Sequence, residues 1–161
     1  MSIDAARYRQ IIGRFATGVA VVTTAVDGWL HGITANALAS VSLDPLLLLV
    51  CVDKQAYAHK ELDQGGRFCV NILAEDQQEL SQVFATRGEP LRGRLRGAAY
   101  QLSPGGMPVL EDCLAYLECA VADRCAGGDH TIFIGAVLDG DIVRQASPLL
   151  FYRSGYPRLQ A

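Results

Sequence analysis

Apolar and polar positions along the chain switch between two periods. Ala5, Tyr8, Ile12 and Phe15 recur at helical spacing while Arg7, Arg9 and Arg14 fall on other faces, so residues 3–16 predict an amphipathic helix with Ser2 as its cap. Residues 18–26 are rich in β-branched side chains and predict a strand. Asp27-Gly28 then offers the two positions tolerant of positive φ that a two-residue hairpin needs, and residues 29–34 return as the partner strand. Residues 40–43 and 46–52 predict two more strands, divided by Asp44-Pro45, where proline marks a turn or a strand start.

Further along, residues 56–62 predict a short helix stopped by Gly65-Gly66, residues 67–73 a strand, and residues 76–85 a helix with Leu80, Val83 and Phe84 on one side. Over residues 113–126, Ala115, Leu117, Cys119 and Val121 alternate with Leu114, Tyr116 and Glu118, the mark of a long strand. A glycine turn leads into an almost wholly apolar strand over residues 130–138, and residues 148–152 close the series. The expectation is seven or eight mostly antiparallel strands with two or three inserted helices. Strand and helix do not alternate as in a doubly wound nucleotide fold. The fold class is therefore mainly β, a closed or split β-barrel with a few short flanking helices, because closure removes sheet edges. No repeat, linker or low-complexity stretch interrupts it, so residues 1–161 read as one domain.

Composition narrows the partners. Half of the 161 residues are hydrophobic, enough for a full core, and a net charge of −3 gives no basic face for nucleic acid or an anionic membrane. The N-terminus lacks a basic region followed by an apolar stretch, and the apolar run over residues 46–52 is far short of the ~20 residues that span a bilayer, so a cytoplasmic protein is expected. Five cysteines without Cys-x-x-Cys spacing predict free thiols, with Cys51, Cys69 and Cys119 acting as small hydrophobes. His31, His59 and His130 lack ligand spacing, so no metal is expected.

Candidate chemistry concentrates in two segments. Gly127-Gly128-Asp129 sets His130 at the mouth of an apolar strand, on the rim where a ligand can reach it. Residues 32–45 are dense in small polar residues between hydrophobic runs, and the two segments together read as a site for a flat, polar-edged cofactor such as flavin. Neither standard glycine-rich phosphate loop is present. Ser40, Ser42 and Lys54 would form a small anion pocket if their strand ends are adjacent. The basic, glycine-rich residues 86–98 read as a solvated loop, with an element near a dinucleotide phosphate as the alternative. Glu118 reads as a structural partner of an arginine, and Asp129 as a turn residue bonding nearby amides. There is no G-x-S-x-G elbow, and no cysteine sits in an activating context.

Several motifs in order resemble the short-chain flavin reductase family, the FMN-binding split-barrel reductases that supply two-component monooxygenases. They are Phe15-Ala16-Thr17-Gly18-Val19, Thr34-Ala35-Asn36-Ala37, Ser40-Val41-Ser42-Leu43-Asp44-Pro45, Phe68-Cys69-Val70-Asn71-Ile72-Leu73, residues 128–135 and Pro148-Leu149-Leu150-Phe151-Tyr152-Arg153. The resemblance implies a homodimer with a flavin near the interface of each barrel. Thr34, Ala35 and Asn36 would line the ring; Ser40, Ser42, Lys54 and Ala56 would hold the phosphate; Asn71 would support that region; Tyr152 would close the pocket. His130 would lie beside the nicotinamide. The implied activity is hydride transfer from NADH or NADPH to FMN or FAD, with reduced flavin passed to a separate oxygenase. Leu46 replaces a second proline common in the family, and Ala136 a common glutamate. A non-catalytic flavin carrier or electron-transfer module stands as the alternative. So does an FMN-dependent oxidase of a B6-type phosphate, which needs a basic cluster that only the segment from Arg87 to Arg96 supplies.

Overall fold

A computed structural model describes residues 2–64 and 66–160. The N-terminal helix α1 (Ala5–Ile12) is shorter than the periodicity implies. Asp4 caps it in place of Ser2, accepting from the Arg7 amide at 2.8 Å, and Gly13 ends it before Phe15. Its apolar side chains bury nothing within the chain. After β1 (Thr17–Gly18), β2 (Ala20–Val26) and β3 (Trp29–Ala35) form the expected hairpin, with Asp27 at φ 51° and Gly28 at φ 80° in the turn. β4 (Leu38–Leu43) and β5 (Leu46–Asp53) pair across Asp44-Pro45.

Next come α2 (Tyr57–Asp63), β6 (Arg67–Ile72) and α3 (Gln78–Ala85). The glycine stop of α2 is only partly visible, since Gly65 lies outside the described residues. The stretch over residues 86–98 is more than a solvated loop. It contains β7 (Leu91–Arg92), which pairs with Trp29 and Leu30, and it buries Leu95 in the core. A hairpin that patterning did not announce, β8 (Tyr100–Leu102) and β9 (Pro108–Leu110), precedes the two long strands β10 (Ala115–Gly127) and β11 (His130–Ile142). The C-terminal strand shrinks to β12 (Leu150–Phe151), which pairs with β1.

Eight strands form one antiparallel sheet in the order β4-β5-β11-β10-β6-β2-β3-β7. The sheet curls until β3 approaches β5, yet no ladder joins them, and α2 packs against β2, β3 and β5 at that gap. This is the split of the barrel. Central strands are buried on both faces: Val21 and Cys69 belong to one core cluster, while Ala20, Val22, Phe68 and Val70 belong to the other. Strand β10 departs from clean alternation because both Glu118 and Cys119 are buried, next to a register shift opposite β11. No helix among the described residues is long and apolar enough to cross a membrane.

Candidate functional site at the barrel split

The gap between β3 and β5 opens into a cleft of about 280 Å³. One wall is the end of β3 (Ile33 to Ala35) with Asn36; the other is the end of β5 with the turn Asp53, Gln55 and Ala56; Thr86 to Gly88 follow α3, and His130 stands at the mouth. Antiparallel pairing of β11 with β5 sets His130 opposite Asp53. A second, more apolar groove of about 870 Å³ runs from Arg9 and Phe15 along β1 and β4, sharing Asn36, Ala37 and Cys51 with the cleft. Two adjoining compartments of this size and polarity suit two ring-bearing ligands.

The structure thus brings together Thr34, Ala35, Asn36, Ala56 and His130. Lys54 lies beside them in a different role. Its Nζ donates to the Gly128 carbonyl at 2.6 Å and its amide to the Asp129 carbonyl at 3.0 Å, so it secures the turn that presents His130. Ser42 and Lys54 sit at opposite ends of β5, because Ser42 pairs with Leu47 and Lys54 follows Asp53. Within one chain, the anion pocket of Ser40, Ser42 and Lys54 does not form. Asn71 is fully buried and saturated: its Nδ2 donates to the Val21 carbonyl and the Thr23 hydroxyl, and its Oδ1 accepts from the Leu110 amide. It holds strands together and lines neither cavity. Tyr152 lines neither cavity, its backbone bonding Gly155 instead.

Hydrogen bonding defines what the rim can offer. The Thr34 hydroxyl donates to the Ser81 carbonyl at 2.6 Å and keeps only acceptor capacity. Asn36 Nδ2 spends one proton on the Thr17 hydroxyl at 3.2 Å and has a second to give. His130 Nδ1–H donates to Asp129 Oδ1 at 2.8 Å, which leaves Nε2 free among the described residues. Asp129 therefore bonds a ring in place of the expected amides, and that bond holds its carboxyl below the usual range.

Residues that sequence reasoning missed are His31 and Tyr57, while Arg87 figured only as part of the basic stretch from Arg87 to Arg96. His31, Ile33 and Ala35 alternate along β3 and all line the cleft, so period-two counting back from Ala35 would have found His31. Its Nε2–H donates to the Gly88 carbonyl at 3.0 Å, its ring meets Tyr57 edge-on, and burial pushes its basicity down. Asp53 is the lone carboxylate lining either cavity among the described residues, and no three His, Cys, Asp or Glu side chains gather there for a metal.

A split barrel whose gap holds two adjoining compartments, without paired carboxylates, defines a scaffold for apposing two flat ligands. A family model described as "Flavin reductase like domain" matches residues 12–160, and the chain belongs to that family. It is 36% identical over 159 residues to the reductase subunit HsaB of a flavin-dependent monooxygenase from Rhodococcus jostii, spanning 99% of this chain and 80% of that protein. The solved flavin reductase PheA2 superposes with a TM-score of 0.89 at 40% identity, covering 99% of this chain and all of that one. The Streptomyces globisporus NADH:FAD oxidoreductase SgcE6, solved with NAD and FAD fragments, superposes at 0.90 with 34% identity over 98% of this chain and 93% of that one.

Proposed function

We propose that the protein is an NAD(P)H:flavin oxidoreductase that delivers reduced flavin to a separate oxygenase. The observation that carries this reading is the meeting of cleft and groove at Asn36, Ala37 and Cys51, where two rings can lie against each other. Bound together, nicotinamide and flavin supply the hydride chemistry themselves, so the chain has only to position them and exclude water. Asn36 offers a donor to the polar edge of a flavin ring, and Thr34 an acceptor. Ser40, exposed on β4 one residue beyond Ala39 of the groove, is available to a flavin bound there. His130 orients the nicotinamide through its free Nε2, with no proton transfer required.

The groove is also where a second copy fits. Ile12 and Phe15 in the groove, with Tyr8 and Ile11 of α1 and Val41, Leu43 and Leu46 of β4 and β5, are exposed apolar side chains, a concentration typical of an interface. A homodimer would cover them and enclose the flavin. Oxidase chemistry on a B6-type phosphate gains little support. Arg96 spends its guanidinium on the Val83, Thr86 and Arg87 carbonyls, and of the stretch that reading needs Arg87 alone lines the cleft among the described residues.

Oxidation of NADH and NADPH with FMN, FAD and riboflavin, followed by absorbance, tests the function. Turnover with at least one pair is expected. A protein that binds flavin yet consumes neither donor would be the carrier instead.

A further inference from the structure

We infer that Arg87 is the residue that receives a phosphate of the nucleotide bound in the cleft, an inference resting on the reductase reading above. Arg87 lies on the wall that follows α3, and its guanidinium reaches across the mouth to the opposite wall. There Nη2 donates to Gln55 Oε1 at 2.7 Å and stands 3.9 Å from Asp53 Oδ2. Its side chain remains 72% exposed, so these contacts are screened by water and weak. The fold does not depend on them.

The backbone carrying Arg87 is fixed by other means. Arg96 donates to the Arg87, Thr86 and Val83 carbonyls, and His31 holds the Gly88 carbonyl. A Cβ at Gly88 would fall 2.1 Å from Arg96 Nη1 and displace that guanidinium from the carbonyls it bonds. The loop is therefore preorganised while the side chain it presents stays free to change partner. Other cations near the cleft are committed: Lys54 to the Gly128 carbonyl and Arg96 to the loop. A phosphate ester approaching past Asp53 and Asp129 meets a guanidinium bonded to the side chains of Gln55 and Asp53 and not to backbone, and its planar fork suits two phosphate oxygens. Exchange of the Asp53 and Gln55 contacts for phosphate keeps the positive charge compensated and clears the mouth.

The phosphate could belong to the nicotinamide nucleotide or to the flavin, and substrates differing only in phosphate separate the two. In Arg87→Ala, KM for NADH should rise roughly tenfold, the loss expected for a charge-assisted hydrogen bond, with kcat within about twofold. KM for reduced nicotinamide riboside, which has no phosphate, should stay the same. A loss on FMN that spares riboflavin would assign the same anion site to the flavin. Asp53→Asn should act in the opposite direction, lowering KM for the phosphorylated substrate about twofold by removing the competitor. Equal losses with and without phosphate, or no loss at all, would overturn the inference while leaving the reductase reading intact. Absence of turnover in the unaltered protein would instead remove that reading and, with it, the role given to Arg87.

Discussion

The polar groups around Asn71 and Glu118 and those around the cleft use the same chemistry to opposite ends. Around Asn71 and Glu118 the hydrogen-bonding groups are all engaged. Asn71 makes three hydrogen bonds, Thr23 passes its proton to the Pro108 carbonyl, and the buried Glu118 accepts from Ser103, the Gly105 amide and Arg67. At the split, Asn36, His130 and Arg87 each bond the fold once or twice and retain capacity that faces a cavity. Saturated polar residues hold the β8–β9 hairpin to the barrel. Unsaturated ones await a ligand.

The sharpest way to break this contrast is Asn71→Ala. Three buried partners lose their hydrogen bonds at once, and the Leu110 amide is left without an acceptor. The expected cost is about 3 kcal/mol, a fall in Tm of roughly 6–12 °C for a domain of this size, read by calorimetry. The KM values of the folded fraction should not move, because Asn71 lines neither cavity. A flavin KM that rises while Tm holds would return Asn71 to the binding site.

His130→Ala attacks the other side of the comparison. Its half-exposed ring supports no core packing, so Tm should change little. KM for the nicotinamide donor should rise roughly tenfold, within the range of a hydrogen bond lost from a ligand contact, and more than flavin affinity weakens. Steady-state kinetics and flavin titration on the same preparation decide it. An unchanged donor KM would remove His130 from the site.

Legibility in the sequence followed the same division. The β2–β3 hairpin, the β4–β5 pair and the long strands were readable because period-two burial and turn chemistry are local signals. The β8–β9 hairpin was not, since Tyr100 to Leu102 are largely exposed and the strand is held by distant residues such as Ser103 and Glu118. At the site, composition singled out residues 32–45 and the turn before His130, both of which contribute to the cleft, while Thr34, Ala35 and Asn36 were named by the resemblance. Ser42 and Lys54 were combined on the condition that their strand ends adjoin, and the β4–β5 register places them at opposite ends of β5, which a turn-centred reading does not give. Asn71 was placed near the flavin phosphate by the resemblance alone, and nothing in a sequence tells a saturated amide from a free one. Arg87 was one of four arginines in a basic stretch, and nothing local separates it from Arg96, whose guanidinium bonds the loop backbone.

A smaller effect sharpens the contrast by pH. Burial outweighs the Gly88 carbonyl and nearby Glu61, so the His31 imidazole titrates below its ordinary value in the folded protein. The unfolded chain takes up a proton near pH 6.5, while the folded one resists until lower pH. Stability should accordingly be level above about pH 6.5 and decline as the pH falls from there to the folded value. His31→Asn should flatten that segment of a Tm-against-pH curve. A wild-type curve that rises on acidification would mean His31 has found a negative partner that stabilises its charged form.

The finest test concerns Asp129, exposed and bound to the ring that the cleft presents. If its carboxylate serves to fix the His130 tautomer, Asp129→Asn should matter to ligand binding and not to folding. Asparagine can turn its carbonyl to the same Nδ1–H, so the geometry survives and only the charge goes. The expected rise in donor KM is about twofold, with Tm and kcat unchanged, because an exposed pair contributes little. Asp129→Ala, which removes the acceptor altogether, should approach the His130→Ala value, since an untethered ring no longer aims its Nε2 at the cleft. Equal effects of the two substitutions would show that charge near the rim, and not the orientation of the imidazole, is what the ligand senses.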